Sequence, residues 1–181
     1  MKWLIASDIH GSARWCEALL GLWDREGADR LLLLGDILYH GPRNDLPEGY
    51  APKEVIALLS ARAERIFSVR GNCEAEVDQM VLPFPVMADY ALMPVKERLM
   101  FVTHGHVWHR GHLPPMRPGD ILLHGHTHLP ECADLGESRL LFNPGSAALP
   151  KNGSWHGCMT LEGSLFRWLD LDGREHIRHE I

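Results

Sequence analysis

Leu4-Ile5-Ala6-Ser7-Asp8-Ile9-His10-Gly11 decides how the chain is read: a short apolar run, then a Gly-bearing turn carrying side chains able to bind metal. The arrangement returns at Leu31 to Leu34 before Gly35-Asp36, and at Ile66-Phe67-Ser68-Val69 before Arg70-Gly71-Asn72. It returns again at Leu99 to Thr103 before His104-Gly105-His106, and at Ile121-Leu122-Leu123 before His124-Gly125-His126-Thr127-His128. Apolar runs of this length bounded by Gly read as buried strands of a sheet covered on both faces. Ligands of open α/β sheets bind outside the carboxyl ends of the strands. Strands lying side by side would therefore gather these Asp, Asn and His residues on one edge.

Working outward, Ser12 to Glu26 carries Trp15, Leu19, Leu22 and Trp23 at helical spacing, with Gly27 as a stop, so the chain opens as strand, helix, strand. Lys53 to Glu64 repeats the helical pattern through Val55, Ile56, Leu58 and Leu59, and Pro52 suits its first turn. Arg139 to Phe142, Trp155 to Leu161, Ser164 to Leu169 and His176 to Ile181 read as short strands joined by Gly-bearing turns. The expected architecture is two packed sheets flanked by helices, in one domain over residues 1–181. Tyr39 to Pro52 is an irregular Pro- and Gly-rich loop following directly on Asp36, and loops of this length are usually functional.

The whole-chain figures exclude several classes. With 24 acidic against 18 basic residues, a net charge of −6 and no basic run, the chain lacks the footprint of a protein that grips long nucleic acid. Its longest apolar runs fall far short of the ~20 residues that span a bilayer. The polar turn at Ser7-Asp8 interrupts any secretory h-region, so a cytoplasmic setting is expected. Cys16, Cys73, Cys132 and Cys158 form no C-x-x-C pair and read as reduced thiols. The remaining anomaly is 12 histidines.

Asp8, His10, Asp36, Asn72, His104, His126 and His128 offer carboxylate, imidazole and amide donors, a set suited to first-row divalent ions and without the thiolates of structural zinc sites. Seven donors are too many for one catalytic ion. With Asp36 bridging they divide into two sets of four, the arrangement of a two-metal centre with ions ~3.5–4 Å apart. Two dications facing only two aspartates leave the centre positive and attractive to anions. A water held there would ionise near neutral pH, and in-line attack on a phosphate ester is the reaction this charge balance favours.

Asp8-x-His10, Gly35-Asp36, Gly71-Asn72, His104-Gly105-His106 and Gly125-His126-Thr127-His128, in this order, resemble the calcineurin-like metallophosphoesterases. His40-Gly41-Pro42-Arg43-Asn44, Leu46 to Tyr50, Gly71-Asn72-Cys73 and Asn143-Pro144-Gly145-Ser146 resemble the small bacterial phosphodiesterases of the YfcE type. The resemblance implies a four-layer αββα sandwich of two mixed β-sheets. It implies Asp8, His10, Asp36 and His128 on one ion and Asp36, Asn72, His104 and His126 on the other, with Asp36, Asn72 and His104 as catalytic residues. The implied activity is metal-dependent hydrolysis of a small phosphodiester by a hydroxide activated between two metals. Mn²⁺ is the first choice, with Fe²⁺, Zn²⁺ and Ni²⁺ compatible. A retromer-type protein-binding scaffold on the same fold and a nuclease of short ends are the alternatives. Exposed end strands could pair in a homo-dimer or higher oligomer.

Cys73 stands where a general-acid histidine commonly follows the Gly-Asn pair, and a neutral thiol is a poor proton donor. His40, Arg43, Cys73 and His106 are expected to touch substrate or support the donors, and His124 to support them. His109, His112, His156, His176 and His179 read as surface or packing residues. Asn143 to Ser146 reads as a turn, and lines the site only by the resemblance.

Overall fold

A computed structural model describes all 181 residues. Strands β1 (Lys2–Ala6), β2 (Arg30–Leu33) and β3 (Ile66–Ser68) run parallel; helices α1 (Ala13–Glu26) and α2 (Pro52–Ser60) fall between them. A short helix α3 (Glu76–Val81) leads to β4 (Ala91–Val95), β5 (Arg98–Val102), β6 (Ile121–Leu123), β7 (Pro130–Gly136) and β8 (Arg139–Pro144). The chain closes with β9 (Gly157–Glu162), β10 (Leu165–Asp170) and β11 (Glu175–Glu180). One sheet has the order β11-β10-β9-β1-β2-β3 and the other β4-β5-β6-β8-β7, each mixing parallel and antiparallel pairs.

Alternation along the parallel strands explains the layering. Leu4, Ala6, Leu31 and Leu33 face the core shared with α1 and α2, whereas Ile5, Leu32 and Leu34 face the second sheet. Between the sheets, Phe142 packs against Phe166 and Trp168 at centroid distances of 4.7 and 5.2 Å, and Trp168 Nε1 donates to the Asn143 carbonyl at 2.7 Å. The outer face of the second sheet, at Phe101, Leu122 and Leu141, is covered by Trp108, Leu113 and Met116 from the irregular segment after β5. No helix is long and apolar enough to cross a membrane.

Some boundaries differ from the sequence reading. Helix α1 begins as expected, with Ser12 accepting from the Trp15 N–H, and ends at Gly27 in the left-handed region. Helix α2 stops at Ser60 rather than running to Glu64; residues Ala63–Arg65 form a separate 3-10 turn. Strand β9 starts at Gly157, because Trp155 instead stacks on His176 and His156 on Trp15. The five run-and-turn units divide between two sheets, three in one and two in the other. Their carboxyl ends meet across the sandwich.

Candidate metal centre

Tight turns at the strand ends aim the donors. Asp8, His10, Asp36, His126 and His128 all adopt left-handed backbone, φ 59°, 49°, 54°, 64° and 61°. The turn after β1 is laid against the turn after β2 by hydrogen bonds from Asp8 N to Gly35 O, His10 N to Asp36 O and Gly11 N to Ile37 O, at 3.1, 2.9 and 2.8 Å. On the second sheet, Gly125 N donates to His104 O at 2.8 Å. Close approach needs glycine at two of these turns. A Cβ on Gly71 would lie 2.2 Å from Asp36 Oδ1, and one on Gly125 would lie 1.9 Å from Ser7 Oγ.

The donor atoms fall into two triads, Asp8–His10–His128 and Asp36–His104–His126, each with its atoms within 4.8 Å of one another. Asp8 Oδ1 lies 3.5 Å from His10 Nε2 and 3.2 Å from His128 Nε2. Asp36 Oδ2 sits between the triads, 3.7 Å from His10 Nε2 and 3.4 Å from His104 Nε2. Asn72 Oδ1 and His126 Nδ1 approach His104 Nε2 at 3.2 and 3.1 Å. The Asn72 amide nitrogen donates to Cys73 Sγ at 3.2 Å, which turns its oxygen toward His104.

Whether these residues suit divalent ions can be judged from their lone pairs. His10, His104 and His128 each place Nδ1 on a carbonyl, of Tyr39, Leu34 and Leu149, at 2.7, 2.7 and 2.6 Å. Those bonds put the proton on Nδ1 of the neutral rings and leave Nε2 as an acceptor pointing inward, as in metal-ligating histidines. His10 Nε2 and His128 Nε2 then face each other at 3.3 Å with no proton between them. Asp8 Oδ1, buried beside both, has no hydrogen-bond partner. Acceptors crowded without donors fit cations, and the set could hold two.

The fields without an ion are correspondingly uneven. Burial opposes charge on Asp8 and Asp36, but His10 and His128 beside the first and His104 beside the second hold both carboxyls below their ordinary range. Burial likewise disfavours protonated His104, yet the Asp36 contact and Asp8 charge raise it to about 9. His126 goes the other way, to about 4, through burial and the neighbouring His104 charge. Burial, then Asp36, pushes the Cys73 thiol up.

Among the remaining expected residues, Arg43 and Cys73 line a cleft of about 490 Å³ that opens onto Asp36, Asn72, His126 and His128. His106 is exposed beside the donors, its ring 5.5 Å from that of His104. His40 does not line the cleft. Its ring is edge-on to Tyr39 and Tyr50, at 4.7 and 5.4 Å, and its carbonyl accepts from Asn44 at 2.8 Å. His124 is buried, with Nδ1 beside the Gly125 carbonyl at 2.9 Å. Asn143 closes β8 rather than forming a free turn; it donates to the Gly125 carbonyl, and Ser146 Oγ donates to the Asp8 carbonyl, both at 2.8 Å.

Two contributors escape the sequence reading. Glu74, buried, accepts from the backbone N–H groups of Asp36, Ile37 and Gly71, the first two at 2.9 and 2.7 Å. Its proximity to Gly71-Asn72 is the only cue in the sequence. Lys151 also lines the cleft.

Two mixed sheets whose parallel strands deliver two Asp/His triads to a shared polar cleft define a phosphoesterase-like metal centre, and the calcineurin-like phosphoesterase superfamily domain matches residues 1–164. The chain belongs to that superfamily. Phosphodiesterase YfcE of Escherichia coli (strain K12) is 47% identical over 154 residues, 85% of this chain and 83% of that protein. The solved structure of YfcE, a phosphoesterase from E. coli, superposes with a TM-score of 0.95 at 42% identity, covering 100% of both chains. Vps29 of Entamoeba histolytica complexed with Zn²⁺ shares the fold at 20% identity, with a TM-score of 0.61 over 99% of both chains.

Proposed function

We propose that the chain is a metal-dependent phosphodiesterase acting on small phosphodiesters. The observation that carries this is the pair of Asp/His triads, with Asp36 Oδ2 reaching both His10 and His104, opening on a polar cleft. Asp8, His10, Asp36 and His128 would hold one ion and Asp36, Asn72, His104 and His126 the other. Two bound divalent ions would supply Lewis acidity toward the phosphoryl oxygens and lower the pKa of the attacking water. The carbonyl bonds at Nδ1 hold three imidazoles in the ligating tautomer. Arg43, on the cleft wall, is placed to touch the substrate. Hydrolysis adds water across one P–O ester bond, and the departing oxygen takes a proton from solvent, because the Cys73 thiol is a weak acid here.

The reading takes residues 1–181 as one domain working in the cytoplasm, with Mn²⁺ the first ion to test and Fe²⁺, Zn²⁺ and Ni²⁺ after it. Self-association through the open sheet edges is compatible with it. A protein-binding scaffold is the weaker reading, since it gives no reason for two inward imidazole nitrogens beside a partnerless buried carboxylate oxygen. The test is hydrolysis of bis(p-nitrophenyl) phosphate by metal-loaded protein, with metal content measured in parallel. Asp36→Ala and His126→Ala are each expected to lower the rate about 100-fold and to lose bound metal. Intact diesterase activity in either variant would place the reaction elsewhere.

A further inference from the structure

Lys151 and Arg43 line the same cleft from different segments, Arg43 from the loop after β2 and Lys151 from the turn after β8. Neither charged head group has an ion-pair partner. On a chain of net charge −6, two cations lining one cleft set it against the overall balance. The only carboxylate lining the cleft is Asp36, which faces the imidazoles.

The position of Lys151 is built rather than incidental. Its backbone N–H donates to the His128 carbonyl at 3.3 Å, and two residues earlier the Leu149 carbonyl receives His128 Nδ1–H at 2.6 Å. Its own carbonyl accepts from Ser154 N and Oγ at 3.0 and 2.7 Å, closing a turn through Asn152 and Gly153 in left-handed backbone. The lysine is thus carried on the segment that orients a proposed metal donor.

We propose that the cleft selects phosphodiesters bearing a second anionic group, which Lys151 and Arg43 bind while the reacting phosphoryl group sits at the triads. This rests on the phosphodiesterase reading. A simple diester has one negative charge, enough for the metal centre and no more. Two further unpaired cations favour a ligand with charge to spare, because charge-assisted bonds in a walled cleft are stronger than those to neutral groups. The volume, about 490 Å³, suits a small molecule. No Phe, Trp or Tyr lines it, and its lining is almost wholly polar. The substrate class is therefore a polar, multiply charged diester of the sugar-phosphate or glycerophosphate kind.

The test uses the full chain loaded with Mn²⁺ and two probes with one leaving group: the p-nitrophenyl phosphodiester of glycerol, and the same diester carrying a phosphate on the far glycerol carbon. The phosphorylated probe is expected to have a kcat/KM about tenfold higher at low salt, through KM, with the advantage shrinking as salt rises. Lys151→Ala and Arg43→Ala should each cut that ratio at least about threefold, Lys151→Glu should invert it, and Lys151→Arg should keep it. If the plain diester is hydrolysed with no preference for the second phosphate, or if the variants leave the preference intact, this inference falls and the activity reading stands. If neither probe is hydrolysed, both fall.

Discussion

At the level of single residues, the Cys73 thiol stands beside the proposed donors without being a good acid. Its sulfur lies with His10 and Asp36 at the rim of the triads, and burial and the Asp36 charge make it a weaker acid than a free thiol. An alkoxide leaving group should feel the lack of a donor more than an aryloxide does. Cys73→His should therefore raise the rate on an alkyl phosphodiester about tenfold or more while changing an aryl diester much less; an equal effect on both would remove Cys73 from the argument. The convergence of the Asp, Asn and His residues was readable because these side chains follow short apolar runs that become parallel strands. Glu74 and Lys151 were not, since one acts on backbone N–H groups and the other joins the cleft from a distant turn, and neither relation leaves a spacing in the chain.

Among the elements, the turn after β2 and the turn after β3 are joined by Glu74, whose carboxylate accepts three N–H groups in the interior. A glutamine there keeps the shape but turns a donor toward a donor. Glu74→Gln should lower the stability of metal-free protein by about 1–3 kcal/mol in urea unfolding. It should also weaken Mn²⁺ binding in calorimetry, because Asp36 and Asn72 hang on the two turns it ties. A stability loss with unchanged metal binding would restrict Glu74 to packing. The parallel strands and α1 follow from their sequence because each has a periodic or unbroken apolar pattern. Strand β4 contains Pro94, β7 interrupts small and apolar residues with Glu131 and Asp134 and ends on Gly136, and α3 has six residues, so none carries such a pattern. Which strands share a sheet was also hidden, because pairing depends on contacts between distant segments.

Over the whole molecule, one carboxylate of α1 ties β1 and β10 to that helix. Glu26 accepts from Lys2 Nζ at 2.7 Å and Arg167 Nη1 at 3.0 Å. Burial resists its charge, but these two cations hold its carboxyl below the ordinary 4.5. A carboxyl lowered in the folded state stabilises above its unfolded pKa and loses that contribution as pH falls through the folded value. Glu26→Gln should thus cost up to about 1 kcal/mol at pH 7, and the gap to the parent chain should close on acidification through the lowered carboxyl's range in parallel melts. A gap that stayed constant with pH would show that shape, not charge, matters at Glu26. The left-handed backbone at Asp8, His10, Asp36, His126 and His128 has a related consequence for the same balance. At about 1 kcal/mol each, those five residues together oppose folding by an amount comparable to the lower end of a domain's net stability. His126→Gly should accordingly melt above His126→Ala in the absence of metal, although both lose the donor; the reverse order would mean the backbone relaxes freely there. The chain keeps side chains where glycine would be the more comfortable tenant, so its most stable version would be one that has given up its chemistry.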